Sequence, residues 1–134
     1  MRLGLFGGDT TTRTLDQIVA DARVANDQGF ASYWLPQIFG PDAITTLAVV
    51  GREVPSIELG TAVVPTFPRH PSMLAAQALT TAMASGGRFT LGIGLSHQIV
   101  VEGMWGMSYE RPAVHMREYL SILLPLLQIG RAHV

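Results

Sequence analysis

The chain has 134 residues, no cysteine and a formal net charge of −1, with nine Lys and Arg against ten Asp and Glu. This length allows one domain, and the lack of cysteine excludes disulfides, thiolate catalysis and cysteine-ligated metals. The balanced charge speaks against a nucleic-acid partner. No apolar run approaches the ~20 residues of a membrane span, and Asp9 comes too early for a signal peptide. We therefore expect a cytoplasmic protein with no membrane partner.

Strands and helices alternate along the chain. In order, the predicted strands are Arg2–Phe6, Ala31–Leu35, Ile57–Val64 and Arg88–Leu95. The helices after them are predicted to begin at a Thr14–Gln17 capping box, at Pro41-Asp42, at Pro71 and, after a loop or short helix through Trp105, at Pro112. Pro125 removes a backbone donor from the last helix and is predicted to kink or end it.

This β-α-β-α-β-α-β-α order predicts a parallel sheet with right-handed crossovers. No GxGxxG sequence follows the first strand, which speaks against a dinucleotide-binding Rossmann domain, and there is no P-loop. Four βα units are about half of the ~250 residues that a closed eight-unit barrel needs. The predicted fold class is therefore α/β, as the N-terminal half of a TIM barrel.

Residues that could carry chemistry follow the predicted strands, at the edge where ligands of such sheets bind. Gly92 and Gly94 lie two apart in the fourth strand, which suits either tight barrel packing or a flat ring close to the backbone. His97 ends that strand, where a ligand contact and a surface position are about equally expected. Gln37 follows the second strand and can reach the barrel mouth, whereas Asp42 is better placed to begin a helix.

Other candidate residues have simpler interpretations. His70 lies in a loop, where a histidine is usually solvated, and His115 and His133 are interpreted as surface or linker residues. Trp34 and Trp105 are expected to anchor the core or a loop. No metal triad, paired-carboxylate spacing or serine nucleophile motif occurs, so no metal site is predicted. Backbone, small residues and histidine suit a redox cofactor that supplies its own chemistry.

The sequence LGTAVVPTFPRHP, followed by LTTAMASGGRFTLGIGLSH, resembles the bacterial luciferase-like superfamily of flavin and deazaflavin oxidoreductases. The greater similarity is to its coenzyme F420-dependent branch. The segments LGLFGG, GFASYWLPQ and VVVEGMWGMSYERPAVHMREYL also match, so the resemblance covers residues 1–128. It implies a partial TIM-barrel domain over this range.

The resemblance also implies the cofactor site. Such relatives carry a non-proline cis peptide bond behind the cofactor ring, and the matching bond here is Ala62–Val63. The residues expected to bind coenzyme F420, or alternatively FMN, are Gly60, Thr61, Ala62, Val63, His70, Gly94 and Ser96.

The predicted catalytic residues are His97 and Gln37, and both depart from the family pattern. Some F420-dependent relatives have an acidic residue and a histidine where this chain has Gln37 and Ile38, and a glutamate where it has His97. Oxidation of a sugar phosphate or secondary alcohol is therefore disfavoured, and enoyl or imine reduction or monooxygenation stays open. Hydride would pass between the deazaflavin and a small organic substrate, and His97 or water would complete the proton balance. His97 is the candidate proton donor, because histidine exchanges protons near neutral pH.

Two further expectations concern the end of the chain and its partners. Residues 129–134 are predicted to be a non-native tail that breaks the last helix. The first and fourth strands would be open edges, so a homo-oligomer is expected. The alternatives to an F420-dependent oxidoreductase are an FMN-dependent luciferase-like monooxygenase and a non-catalytic half-barrel that acts by pairing with another chain.

Overall fold

The computed structural model describes residues 1–131 and confirms the alternating α/β order. The strands are β1 (Gly4–Phe6), β2 (Ser32–Leu35), β3 (Glu58–Thr61), β4 (Val64–Pro65), β5 (Phe89–Thr90) and β6 (Ile93–Gly94). The helices are α1 (Leu15–Asp27), α2 (Ala43–Glu53), α3 (Pro71–Ala84), α4 (Gln98–Gly103) and α5 (Pro112–Arg131).

The strands form a parallel sheet, as predicted. Its order is β1-β2-β3-β5, and β4 and β6 form a second parallel pair. Leu59 lies opposite Phe89 in the first sheet, and Val64 lies opposite Ile93 in the second. Strands β1 and β5 occupy the outer positions of the four-stranded sheet. Because all of its pairs are parallel, the carboxyl ends of these strands lie along one edge.

The third and fourth predicted strands are each interrupted. The third is interrupted at the bulge that the resemblance implied around Ala62–Val63, whereas the fourth was predicted as one continuous strand, and that prediction was wrong. The chain bulges between β3 and β4, where the peptide bond Ala62–Val63 is cis as expected. The Ala62 N–H donates to the Leu35 carbonyl at 2.8 Å, and the Gln37 N–H donates to the Val63 carbonyl at 3.2 Å. The bulge is thus hydrogen-bonded to the end of β2 instead of continuing the β3 ladder.

A threonine side chain bridges the gap that the bulge leaves. The Thr61 hydroxyl donates to the Gly92 carbonyl and accepts from the Gly92 N–H, both at 2.8 Å. Gly92 has to be small, because a Cβ there would collide with the Thr61 carbonyl oxygen. This pair replaces the regular ladder between the interrupted strands.

Helices cover one face of the sheet, and each of the first three begins with a side-chain cap. Thr14 and Gln17 form the predicted capping box, Asp42 caps α2, and His70 caps α3. The core lies between these helices and the sheet. Its largest fully buried side chains are Tyr33, Ile18, Leu35, Ile44, Leu47, Ile57, Leu59, Leu74, Leu123, Val50, Val54 and Val64.

The last helix is longer than predicted. Helix α5 continues past Pro125 to Arg131, so neither an end at Pro125 nor a break at Ile129 is observed. Buried Leu123 and the close approach of Gly130 to Leu79 of α3 hold the helix on both sides of the proline. Packing of this kind outweighs the loss of one backbone hydrogen bond. His133 and the rest of the predicted tail, residues 132–134, lie outside the described residues.

Candidate functional site

A cavity of about 370 Å³ lies at the carboxyl ends of β2, β4 and β6. Its lining residues are Pro36, Gln37, Ile38, Phe39, Val63, Pro65, Ser96, His97, Val100 and Trp105. The walls are mostly apolar, and three side chains bring polar groups to them. An apolar cavity with a few polar groups at the strand ends is typical of a small-molecule site in an α/β fold.

Four of the predicted site residues meet at this cavity. Gln37 follows β2, Val63 comes from the bulge before β4, and Ser96 and His97 follow β6. They converge because the carboxyl ends of parallel strands share one edge of the sheet. Ala62 precedes Val63 in the bulge and is exposed, but it does not line the cavity.

Hydrogen bonds at the start of α2 hold the Gln37 side chain. Its Oε1 accepts from the Ala43 N–H at 2.8 Å and from the Arg69 guanidinium at 3.5 Å. Its Nε2 donates to the Ile38 carbonyl at 3.4 Å, which is long for such a bond. The oxygen of this amide is therefore committed to the protein, and an amide does not exchange protons as an acid would.

Arg69 and Asp42 form an ion pair behind Gln37. The Arg69 Nη2 lies 2.7 Å from Asp42 Oδ1, and Arg69 is only 16% exposed. Burial alone would raise the pKa of Asp42. Hydrogen bonds from the N–H and hydroxyl of Thr45, together with the Arg69 guanidinium, outweigh burial and hold the pKa of Asp42 below its ordinary value. Asp42 is thus the expected helix cap and also holds Arg69 in place.

Ser96 and His97 form the far wall of the cavity. Ser96 has a positive φ of 62°, and its carbonyl accepts a hydrogen bond from the Tyr109 hydroxyl at 3.3 Å. His97 is exposed at the N-cap position of α4 and makes no side-chain hydrogen bond to that helix. Its ring nitrogens are therefore not used to cap that helix.

The other predicted cofactor residues lie outside the cavity lining. His70 accepts from the Ser72 N–H through Nδ1 at 3.3 Å. The Trp34 indole covers Gly60, and the Thr61 hydroxyl is engaged with Gly92.

Gly94 lies beside the cavity wall. A Cβ at Gly94 would come within 2.6 Å of Val63 Cγ2. Val63 of the bulge occupies the space beside Gly94, and the Thr61 carbonyl occupies the space beside Gly92. These contacts favour tight packing, one of the two interpretations that the sequence left open for the two glycines.

Sequence reasoning missed several residues of the cavity. Trp105 was interpreted as a core or loop anchor, but it is half-buried in the cavity wall. Phe39 and Val100 also line it, and the Arg69–Asp42 pair lies behind it. Residues of loops and of a helix as short as α4 carry no periodic signal that places them at a particular edge.

His115 is not a surface residue as predicted. Its ring stacks on Phe67, with ring centroids 3.9 Å apart, and its Nε2 lies 2.9 Å from the Thr66 hydroxyl. Burial lowers the pKa of His115, and the Glu118 carboxylate opposes this only in part. The histidine therefore joins the loop after β4 to α5.

A larger groove of about 510 Å³ lies between α3, β5 and α5. Its side chains, such as Leu79, Phe89 and Leu127, are apolar, so it offers no group for chemistry. Within residues 1–131, no three His, Asp or Glu side chains cluster as a metal site would require. In the same range, no helix combines the length and apolar character needed to cross a bilayer.

The fold agrees with the comparisons to known proteins. The family model described as luciferase-like monooxygenase matches residues 3–133, so the chain belongs to this family. A Mycobacterium tuberculosis protein, named provisionally as a coenzyme F420-dependent oxidoreductase, is 35% identical over 123 residues. That match covers 92% of this chain and 34% of the relative.

Two solved structures show the same fold. The oxygenating constituent of 3,6-diketocamphane monooxygenase from Pseudomonas putida, in complex with FMN, has a TM-score of 0.80 at 22% identity. The coenzyme F420-dependent tetrahydromethanopterin reductase of Methanopyrus kandleri has a TM-score of 0.73, also at 22% identity. Each match covers 92% of this chain and 38% of the other. The fold is thus a half barrel, and the chain spans about a third of the curated relative reported above.

Proposed function

We propose that the chain supplies the N-terminal part of an oxidoreductase in which coenzyme F420 exchanges a hydride with a small organic substrate. The observation that carries the proposal is the meeting of Gln37, Val63, Ser96 and His97 at one apolar cavity. The preference for a deazaflavin is supported by the relative at 35% identity, whose name refers to this cofactor.

The cavity residues fit a flat ring system with polar edges. Val63 and Pro65 offer apolar surface on one wall, and Trp105 offers an aromatic ring on another. The Ser96 hydroxyl and the His97 imidazole can bind polar edge groups. When bound, a deazaflavin supplies the hydride chemistry, and the protein supplies binding, orientation and proton exchange.

His97 is the proposed proton donor. Its imidazole borders the cavity and is exposed, so it can regain a proton from solvent after each turnover. His97 is the N-cap residue of α4, which fixes the position of its backbone. Its ring nitrogens make no capping hydrogen bond. Gln37 is proposed to bind and orient the substrate, since its amide cannot deliver a proton at neutral pH.

Titration of the protein with coenzyme F420 and with FMN tests this proposal, because both cofactors can be followed by fluorescence. Val63→Asp should weaken F420 binding at least tenfold, because it places a carboxylate on the apolar wall. The matched control is Val24→Asp, a residue of α1 that is 53% exposed. Equal F420 binding by Val63→Asp and wild type, with both folded by circular dichroism, would contradict the proposal.

The second candidate is an FMN-dependent monooxygenase, favoured by the description of the matching family. Tighter binding of FMN than of F420 in the same titration would select it. A chain that binds neither cofactor but forms a stable dimer would instead support the non-catalytic half-barrel.

A further inference from the structure

The orientation of the Gln37 amide is decided by its neighbours. The atom 2.8 Å from the Ala43 N–H has to accept a hydrogen bond, because a backbone N–H can only donate. The Arg69 guanidinium beside it can also only donate. Both contacts require oxygen at this end of the amide. The NH2 group therefore lies at the other end, away from Ala43 and Arg69.

The amide NH2 group has hydrogen-bonding capacity to spare. It carries two N–H donors, and its one protein partner is the Ile38 carbonyl at 3.4 Å. Gln37 is half-buried and lines the cavity. At least one N–H is therefore available to a molecule in the cavity, whereas the amide oxygen is not.

Arg69 adds a second restraint on this arrangement, weaker than the Ala43 bond because its contact with the Gln37 oxygen is 3.5 Å long. Its guanidinium is held at 2.7 Å by the Asp42 carboxylate, and its carbonyl accepts from the Tyr119 hydroxyl at 2.8 Å. Asp42 in turn caps α2, whose first N–H, that of Ala43, holds Gln37. The ion pair and the helix start thus support the same amide orientation.

We propose that Gln37 recognises a carbonyl-type oxygen of the substrate through its amide N–H. The Ala43 N–H sets this polarity, and Arg69 is a positioning residue that restrains the amide further. The inference rests on the proposed function for the identity of the cavity. A carbonyl oxygen only accepts hydrogen bonds, so it is complementary to the N–H donor of Gln37. An alcohol oxygen could accept from the same N–H, but Gln37 offers its O–H no acceptor. At this side chain the alcohol therefore leaves one donor to pair elsewhere, at an energetic cost.

Nuclear magnetic resonance with two small probes, cyclohexanone and cyclohexanol, tests the inference without any cofactor. Cyclohexanone should shift the side-chain NH2 signals of Gln37 and bind about fivefold more tightly than cyclohexanol, as expected for one hydrogen bond. Equal affinities, or ketone binding that leaves the Gln37 NH2 signals unmoved, would overturn the inference.

The variant Gln37→Glu makes the test sharper. Its carboxylate can still accept from Ala43 and Arg69, but its second oxygen accepts instead of donating. The preference should therefore reverse in favour of the alcohol. The matched control Gln77→Glu adds the same charge on an exposed position of α3 and should keep the ketone preference. A ketone preference retained by Gln37→Glu would overturn the inference.

Arg69→Met should loosen the amide without inverting it, because the Ala43 N–H still holds its oxygen. The expected results are a larger amplitude of motion for the Gln37 NH2 group and a smaller ketone preference, with Arg69→Lys between this variant and wild type. Unchanged motion and preference in Arg69→Met would overturn the positioning role. Intact F420 binding alongside any of these failures would leave the proposed function standing.

Discussion

Thr61→Val should destabilise the protein although it barely changes the side-chain volume. Thr61 is 1% exposed, and its hydroxyl makes two hydrogen bonds of 2.8 Å to Gly92. Valine keeps the shape and removes both bonds. The Gly92 carbonyl keeps the Val64 N–H as a donor at 3.0 Å, but the Gly92 N–H loses the acceptor it has in this bridge.

The expected loss follows from these contacts. Two hydrogen bonds contribute about 1 kcal/mol each, and an unpaired buried donor costs about 1–3 kcal/mol more. Gly92 is half-buried, so water can satisfy part of that donor. The free energy of unfolding should therefore fall by about 2 kcal/mol, which for a chain of this size lowers the Tm by roughly 6–10 °C.

Urea denaturation and thermal melts of Thr61→Val, Thr61→Ser and wild type measure this effect. Serine keeps the hydroxyl and loses one methyl group, so it should cost only about 1 kcal/mol. A Thr61→Val protein within 0.5 kcal/mol of wild type, or one more stable than Thr61→Ser, would refute the bridge as the element that joins the interrupted strands.

Three further predictions follow from other contacts. Arg69→Met removes the ion pair with Asp42 and should lower the free energy of unfolding at pH 7. The loss should be only about 1 kcal/mol, because Asp42 is partly exposed and solvent screens the pair. Since the folded pKa of Asp42 is depressed, the difference in urea midpoint between variant and wild type should shrink below about pH 4. Because the folded pKa of His115 is lowered, wild type should lose stability as the pH falls below about 6.5. The urea midpoint should therefore drop between pH 7.5 and pH 5.5, and the drop should be smaller in His115→Phe. Phe6 is 55% exposed on the edge strand β1, so size-exclusion chromatography should show self-association that Phe6→Lys reduces and Met73→Lys, on α3, does not.

Much of the fold was predictable because local signals repeat along the chain. The capping box at Thr14 and the N-cap at Asp42 mark helix starts that the structure confirms. The interruptions of the third and fourth strands were not predictable from alternation, since the Thr61–Gly92 bridge joins residues 31 positions apart. Helix α5 passed Pro125 for a similar reason, as contacts with α3 outweigh a local helix-breaking signal.

The candidate site was predictable only for residues that come shortly after a strand, because their position along the chain places them at the edge of the sheet. Gln37 reaches the cavity because it comes shortly after β2, and Ser96 and His97 reach it because they come shortly after β6. Arg69 was quoted as part of a motif, but its pairing with Asp42 depends on how two loops pack. His115 was misplaced because its burial comes from stacking on the loop after β4, which no spacing along the chain reveals.

The most direct test of the central claim is a ¹⁵N–¹H correlation spectrum of the chain, titrated with coenzyme F420 and, separately, with FMN. We predict that F420 shifts the backbone amide signals of Val63, Ser96 and His97, at the cavity where β2, β4 and β6 end. Shifts confined to the groove beside Leu79 and Phe89, or no saturable shifts with either cofactor, would contradict the claim that this cavity is a cofactor site.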